Sequence, residues 1–126
     1  MPRYRILVVD DSKLVQELAR MALETHDGWE VRCTASGAEA VALAVAEPPD
    51  AVLLDVEMPE LDGPATVAAL RAEPVSAQTP IVFLTAHDDP DELTRLRALG
   101  VAGVLPKPFD VSTLGAQLAD LLGWPA

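Results

Sequence analysis

The chain has 126 residues, half of them hydrophobic, with 20 acidic against 9 basic side chains and a formal net charge of -11. That length fits one domain able to bury a core unaided, and the single cysteine, Cys33, excludes an internal disulfide. The negative field argues against nonspecific binding to nucleic acid or an anionic membrane, and with no charged leader or long apolar stretch the expected location is cytoplasmic.

Residues 4–9 are rich in β-formers and unbroken in their apolar character over 6–9, as expected of a strand covered on both faces. Similar runs recur at 29–33, 51–54, 81–84 and 103–105, each separated from the next by a segment with helical spacing. In the first of these segments, residues 12–25, Ser12 is the expected cap and Leu14, Val15, Leu18, Met21 and Ala22 form the expected inward face. Ser36 and Glu39 make a capping-box pattern ahead of Val41, Leu43 and Ala44. Asp62-Gly63-Pro64 leads into a helix over 65–72, with Val67 and Leu70 spaced for burial and Pro74 ending the pattern. Asp89-Pro90-Asp91-Glu92 opens the fourth helix with a cap, a first-turn proline and acids that suit the helix dipole. The last helix is expected over 111–122, with Val111, Leu114, Leu118 and Leu121 inward and Gly123 as its stop. Alternating strands and helices with short connections predict an α/β domain, a parallel sheet with helices on both faces. No linker, repeat or low-complexity tract divides 1–126, so one domain without a separate output module is expected.

Open α/β sheets bind ligands beyond the carboxyl ends of their strands. Asp10, Asp11, Asp55, Thr85 and Lys107 each stand where an apolar run stops, so the topology would gather them at one edge. Three converging carboxylates repel one another unless a cation sits among them, and an all-oxygen set suits Mg²⁺, with Mn²⁺ able to substitute. Asp55 in such a site can attack an activated phosphorus, Lys107 can supply a point charge to the phosphoryl group, and the Thr85 hydroxyl can donate to it.

The ordered motifs Val8-Val9-Asp10-Asp11-Ser12, Leu54-Asp55-Val56-Glu57-Met58-Pro59-Glu60-Leu61-Asp62-Gly63, Leu84-Thr85-Ala86 and Leu105-Pro106-Lys107-Pro108-Phe109 resemble those of the receiver domain of two-component response regulators. The layout is similar to the stand-alone CheY-like type over essentially the whole chain. The resemblance implies a doubly wound five-stranded sheet of order 2-1-3-4-5. It implies a phosphoacceptor Asp55 fed by a sensor histidine kinase or a histidine phosphotransfer protein. Asp11, Asp55 and the main-chain carbonyl of Glu57 would hold Mg²⁺, and Asp10 would act through water. Thr85 would be the switch hydroxyl, Lys107 the phosphate contact, and Lys107–Pro108 a cis peptide. Output would pass to a downstream protein, with a homodimer through the fourth helix, fifth strand and fifth helix as a further expectation.

The chain departs from the family pattern at Val104, three residues before the lysine, where many members carry a tyrosine or phenylalanine that swings inward on activation. A valine has one stiff torsion and no ring, so output is expected to run through the loop after Thr85 and the fourth helix. Glu57 and His87, each two residues beyond a site residue, are candidates for tuning the lifetime of the phosphorylated state. A phosphorylation-independent adaptor on the same fold is the first alternative. An aspartyl-phosphate phosphatase would need a lid or cap domain, and a flavin carrier would meet repulsion between Asp10-Asp11 and the flavin phosphate. The expected role is a phosphoacceptor with at most slow self-dephosphorylation, not a conventional enzyme.

Overall fold

The structure, a computed structural model, describes residues 3–26 and 28–125. Its strands are β1 (Arg5–Val9), β2 (Glu30–Thr34), β3 (Ala51–Asp55), β4 (Ile81–Thr85) and β5 (Gly103–Pro106). They alternate with α1 (Lys13–Arg20), α2 (Gly37–Ala46), α3 (Gly63–Ala72), α4 (Pro90–Arg97) and α5 (Leu114–Leu122), and a π-helical turn, Met21–His26, continues α1. All strand pairs are parallel, in the order β2-β1-β3-β4-β5. After β1 the chain moves to one side for β2 and then crosses to the other for β3. The ends of β1 and β3 therefore flank the switch point, where ligands of such sheets bind.

β3 and β4 are buried at every position, which explains why their sequences run without polar alternation. Ile6, Val8, Leu53, Val82 and Leu84 pack with Leu114 and Leu118 of α5 and Ala19 of α1. Leu7, Val9, Leu54, Ile81 and Phe83 face the other way, against Ala40 and Ala44 of α2, Val67 and Leu70 of α3 and Leu96 of α4. Burying a leucine of this kind is worth about 1.5–3 kcal/mol. At the opposite end of the sheet from the candidate site, Tyr4 stacks on Trp124 with ring centroids 3.8 Å apart, and both meet Trp29 edge-on.

Expected caps form at Ser12, which accepts from Val15 N at 3.3 Å, and at Asp89, which accepts from Asp91 N at 3.3 Å; Asp62 also caps its helix, accepting from Ala65 N at 2.9 Å. The capping box at Ser36 forms only in part. Ser36 Oγ accepts from Glu39 N, but the Glu39 carboxylate takes the Thr34 hydroxyl at 2.5 Å. β2 starts at Glu30, one residue later than expected, because Trp29 joins the aromatic cluster.

Two helices depart from their expected description. Of the expected inward positions of the first helix Ala22 is buried and Val15 packs against the core, but Leu14 and Met21 are 68% and 53% exposed, and Gln16, Ala19 and Leu23 complete the buried face. The buried face is turned by roughly a quarter turn from the apolar stripe, at about 100° per residue. Small alanines let the helix approach the sheet, and the Gln16 amide finds a partner there, so an inward polar side chain is satisfied. α5 begins at Leu114 and not at Val111, because Asp110 captures the intervening residues in a tight turn: its Oδ1 accepts from Ser112 N at 2.8 Å and its carbonyl from Thr113 N at 3.1 Å. Gly123 ends that helix in the left-handed conformation, at φ 70°.

Glu60, exposed in the loop after β3, is the one non-glycine residue with positive φ among the described residues, at 68°. Left-handed backbone costs an L-residue about 1–2 kcal/mol, and glycine's greater chain entropy takes back about 0.5–1. Glu60→Gly is therefore expected to stabilise the protein by about 0.5–1 kcal/mol, read as a higher thermal midpoint. A lower midpoint would show that the glutamate side chain contributes more than its backbone costs.

Candidate functional site

β1 delivers Asp10 and Asp11 to the carboxyl edge of the sheet and β3, its neighbour, delivers Asp55. One oxygen from each carboxylate can be chosen so that all three lie within 4.8 Å of one another. Asp10 is fully buried and Asp55 is 5% exposed, while Asp11 faces solvent. Lys107, from the loop after β5, reaches across with its Nζ 2.7 Å from Asp10 Oδ2 and 3.0 Å from Asp55 Oδ1. The Lys107–Pro108 peptide is cis, as expected. Thr85 ends β4, buried, beside β3; its Oγ1 accepts from His87 N at 3.0 Å, and its carbonyl accepts from Lys107 N at 2.8 Å. Glu57 lies in the loop after β3, and its N–H donates to Asp55 Oδ1 at 3.3 Å.

One ammonium serves two buried carboxylates, and the charges do not balance. Burial pushes the Asp55 carboxyl above its ordinary range, the Lys107 hydrogen bond opposes this, and the Asp10 charge adds to it. Burial also works against the Lys107 ammonium, but Asp10 and Asp55 outweigh it and hold it above its ordinary value. Asp10 Oδ2 is buried with no hydrogen bond aligned on it among the described residues, only the ion pair to Lys107. An excess of negative charge on all-oxygen donors, with one carboxylate at the surface, fits a hard divalent cation.

Glu57 and His87 meet at the rim, the His87 Nε2 against the Glu57 carboxylate. That hydrogen bond, and then the charge, raise the His87 imidazole above its ordinary value. Both also line a groove of about 830 Å³ between the loop after β3 and α4, which includes Met58, Pro59, Leu96 and Leu99 but not Asp10, Asp11 or Lys107. Val104 lies opposite Phe83 in the β4–β5 register, partly buried, so no ring occupies the position.

Gln16 has no signal in the sequence beyond a polar side chain amid apolar neighbours. In the structure its Nε2 donates to the Asp10 carbonyl at 2.7 Å. Arg71 was equally silent; its guanidinium caps the Thr79 carbonyl at 2.7 Å and reaches Ser76 and Gly100.

The family model for the response regulator receiver domain matches residues 6–119. The chain belongs to the response regulator receiver domain family. It is similar to the response regulator MprA of Mycolicibacterium vanbaalenii, at 41% identity over 94% of this chain and 50% of that protein. The receiver thus spans about half the length of the curated relatives it matches. Among solved structures it is similar to the chemotaxis response regulator CheY4 of Vibrio cholerae, at 33% identity and a TM-score of 0.88 over 95% of this chain and 99% of that one. It is also similar to the receiver domain of a sensor histidine kinase from Pseudomonas aeruginosa, described with a magnesium ion coordinated in its active-site cleft. That match has 30% identity and a TM-score of 0.85 over 97% of this chain and 99% of the other. Receivers are signalling phosphoacceptors of two-component systems, which bind Mg²⁺ in the active site. No helix among the described residues is long and apolar enough to cross a membrane.

Proposed function

We propose that this receiver accepts a phosphoryl group on Asp55 from a phosphohistidine and signals through protein contacts. The observation that carries the reading is the set of three carboxylates within 4.8 Å joined by Lys107 at 2.7 and 3.0 Å. An Asp55 oxygen attacks phosphorus, the phosphorus–nitrogen bond to the donor imidazole breaks, and the imidazole leaves with the electron pair. Lys107 follows the charge from carboxylate to phosphoryl oxygen. Thr85 moves its hydroxyl from accepting the His87 N–H to donating toward the phosphoryl group. Asp11, Asp55 and the main-chain carbonyl of Glu57 would hold the cation, Asp10 acting through water. When bound, Mg²⁺ offsets charge on the transferring oxygens.

The donor is a sensor histidine kinase or a histidine phosphotransfer protein, docking on the α1 side and the loop at Pro59. The exposed Leu14 and Met21 support that surface. Output passes through the loop after Thr85 and α4 to a downstream protein or a second copy through α4, β5 and α5. With Val104 at the aromatic position, amide shifts on binding a phosphoryl mimic are expected over residues 86–105, and their absence would sink this route. An adaptor that works without phosphate is the second reading, favoured by Val104; partner binding that survives Asp55→Ala would support it.

The test is incubation with a small phosphodonor, with and without Mg²⁺, followed by intact mass. One phosphoryl group added only with the cation is expected, and no addition under either condition would overturn the reading. The contact between Glu57 and His87 bears on how long that group stays. Held by His87, the Glu57 carboxylate is kept from ordering a water for attack on the acyl phosphate. His87→Ala is therefore expected to shorten the life of phospho-Asp55 by a few-fold and Glu57→Asn to lengthen it. Unchanged rates of dephosphorylation in both would remove the pair from the mechanism.

A further inference from the structure

We propose that Gln16 is a positioning residue for the cation site, acting through the main-chain carbonyl of Asp10; the inference rests on the phosphoacceptor reading above. Gln16 lies on α1, 8% exposed, and its amide donates to Asp10 O at 2.7 Å in a buried hydrogen bond. A buried amide without a partner costs about 1–3 kcal/mol, so this inward polar residue is tolerable only because the bond is made.

The bond falls where it can steer the site. The Asp10 N–H donates to Thr34 O at 3.0 Å, its Oδ1 accepts from Ser12 N at 2.8 Å, and its Oδ2 faces Lys107 at 2.7 Å. These contacts hold Asp10 at its amide and side chain, and the peptide joining it to Asp11 is held by Gln16. A peptide unit is planar, so fixing the direction of the Asp10 carbonyl also fixes where the Asp11 backbone begins. Asp11 is the exposed member of the three carboxylates and has the most freedom to lose. Gln16 thus restricts where the Asp11 carboxylate can go.

The side chain's chemistry suits the task. A lysine or arginine at this place would bring a second positive charge to a site that must attract a cation. A glutamate would offer no donor and would repel the carbonyl. A neutral amide donates without changing the charge of the site.

The experiment is a Mg²⁺ titration of the full chain followed by the amide resonances of residues 10–12 and 55–57, beside thermal melts without cation. Removing partners that orient a metal ligand commonly costs 10–100-fold in affinity, and Gln16→Met is expected to weaken Mg²⁺ binding about tenfold. Ala22→Gly is the control: it loosens the same helical segment away from the loop, and should lower the thermal midpoint while leaving Mg²⁺ affinity unchanged. Should Gln16→Met not fold, Gln16→Asn, whose amide is one methylene short of the carbonyl, carries the same expectation. Mg²⁺ binding by the Gln16 variant equal to wild type would overturn the inference, as would an equal loss in Ala22→Gly. Wild type that binds no Mg²⁺ would remove the phosphoacceptor reading itself, and the role of Gln16 with it.

Discussion

Asp55→Asn is expected to abolish phosphoryl incorporation while leaving a folded protein that is more stable than wild type at neutral pH without divalent cation. The loss follows from chemistry: a carboxamide lacks the anionic oxygen that attacks phosphorus. The gain follows from the charge of the site. Burial, joined by the Asp10 charge, raises the Asp55 carboxyl above its unfolded value despite the Lys107 hydrogen bond. A carboxyl raised by folding binds more protons in the native state than in the unfolded one between the two values. Stability from this group therefore falls as pH rises through that window, and the cost is fully present above it. Asparagine does not ionise, so its contribution should be flat across the same range. Melts of both proteins from about pH 4 to about pH 8, in a chelator and again in Mg²⁺, would read this. The variant's advantage should grow with pH in chelator and shrink with the cation. Equal melting at every pH would contradict the electrostatic account, and a mass gain in the variant would remove Asp55 as the acceptor.

Gly63→Ala should be among the most damaging single-methyl changes in the chain. A Cβ at this first residue of α3 would lie 2.8 Å from both the Asp55 carbonyl oxygen and Val56 Cα, and 3.0 Å from the Phe83 ring. Two of those atoms are backbone and the ring is fully buried, so no flexible side-chain end can move aside. The helix cannot easily retreat either. Gly63 N donates to Val56 O at 2.8 Å, and Asp62 caps the same turn. Overpacking of this kind costs about 3 kcal/mol, near the upper end of the usual range, or roughly 10 °C in thermal midpoint for a domain of this size. Because the displaced carbonyl belongs to Asp55, the proposed phosphoacceptor, the rate of labelling by a small phosphodonor should fall as well. A midpoint within about 2 °C of wild type would mean that the loop after β3 absorbs the methyl group, at a cost below about 1 kcal/mol.

Much of the site was legible because its residues interrupt apolar runs. Asp10, Asp55 and Thr85 stand at the ends of strands buried on both faces, where a polar side chain is visible against its neighbours. Lys107 was legible for the same reason, after a short strand and before a proline. The face of the first helix was legible only in part, at Val15 and Ala22. Its apolar stripe includes Leu14 and Met21, yet the buried positions centre on Gln16, Ala19 and Leu23. Hydrophobic periodicity finds a stripe of large side chains, whereas close approach to a sheet favours small ones and a polar group whose bond is met. The start of α5 failed for a local reason, since Asp110 can cap a helix or hold a turn and the choice depends on geometry within a few residues. The contact between Glu57 and His87 joins residues 30 apart in the chain, and spacing alone does not reveal it.

Local features of the amino-acid sequence were enough for the alternation of strand and helix, the parallel sheet, the five strand-end residues and the valine at position 104. Apolar runs, caps and breakers act over a few residues, so they can be read locally. Packing between distant segments determined that one Lys107 ammonium is shared by Asp10 and Asp55, that Asp55 is left with a raised carboxyl, and that Gln16 holds the Asp10 carbonyl. Each depends on distances between elements far apart in sequence and on how much water their packing excludes. Burial makes an unmatched charge costly and a single hydrogen bond directive, and only the assembled fold creates that burial.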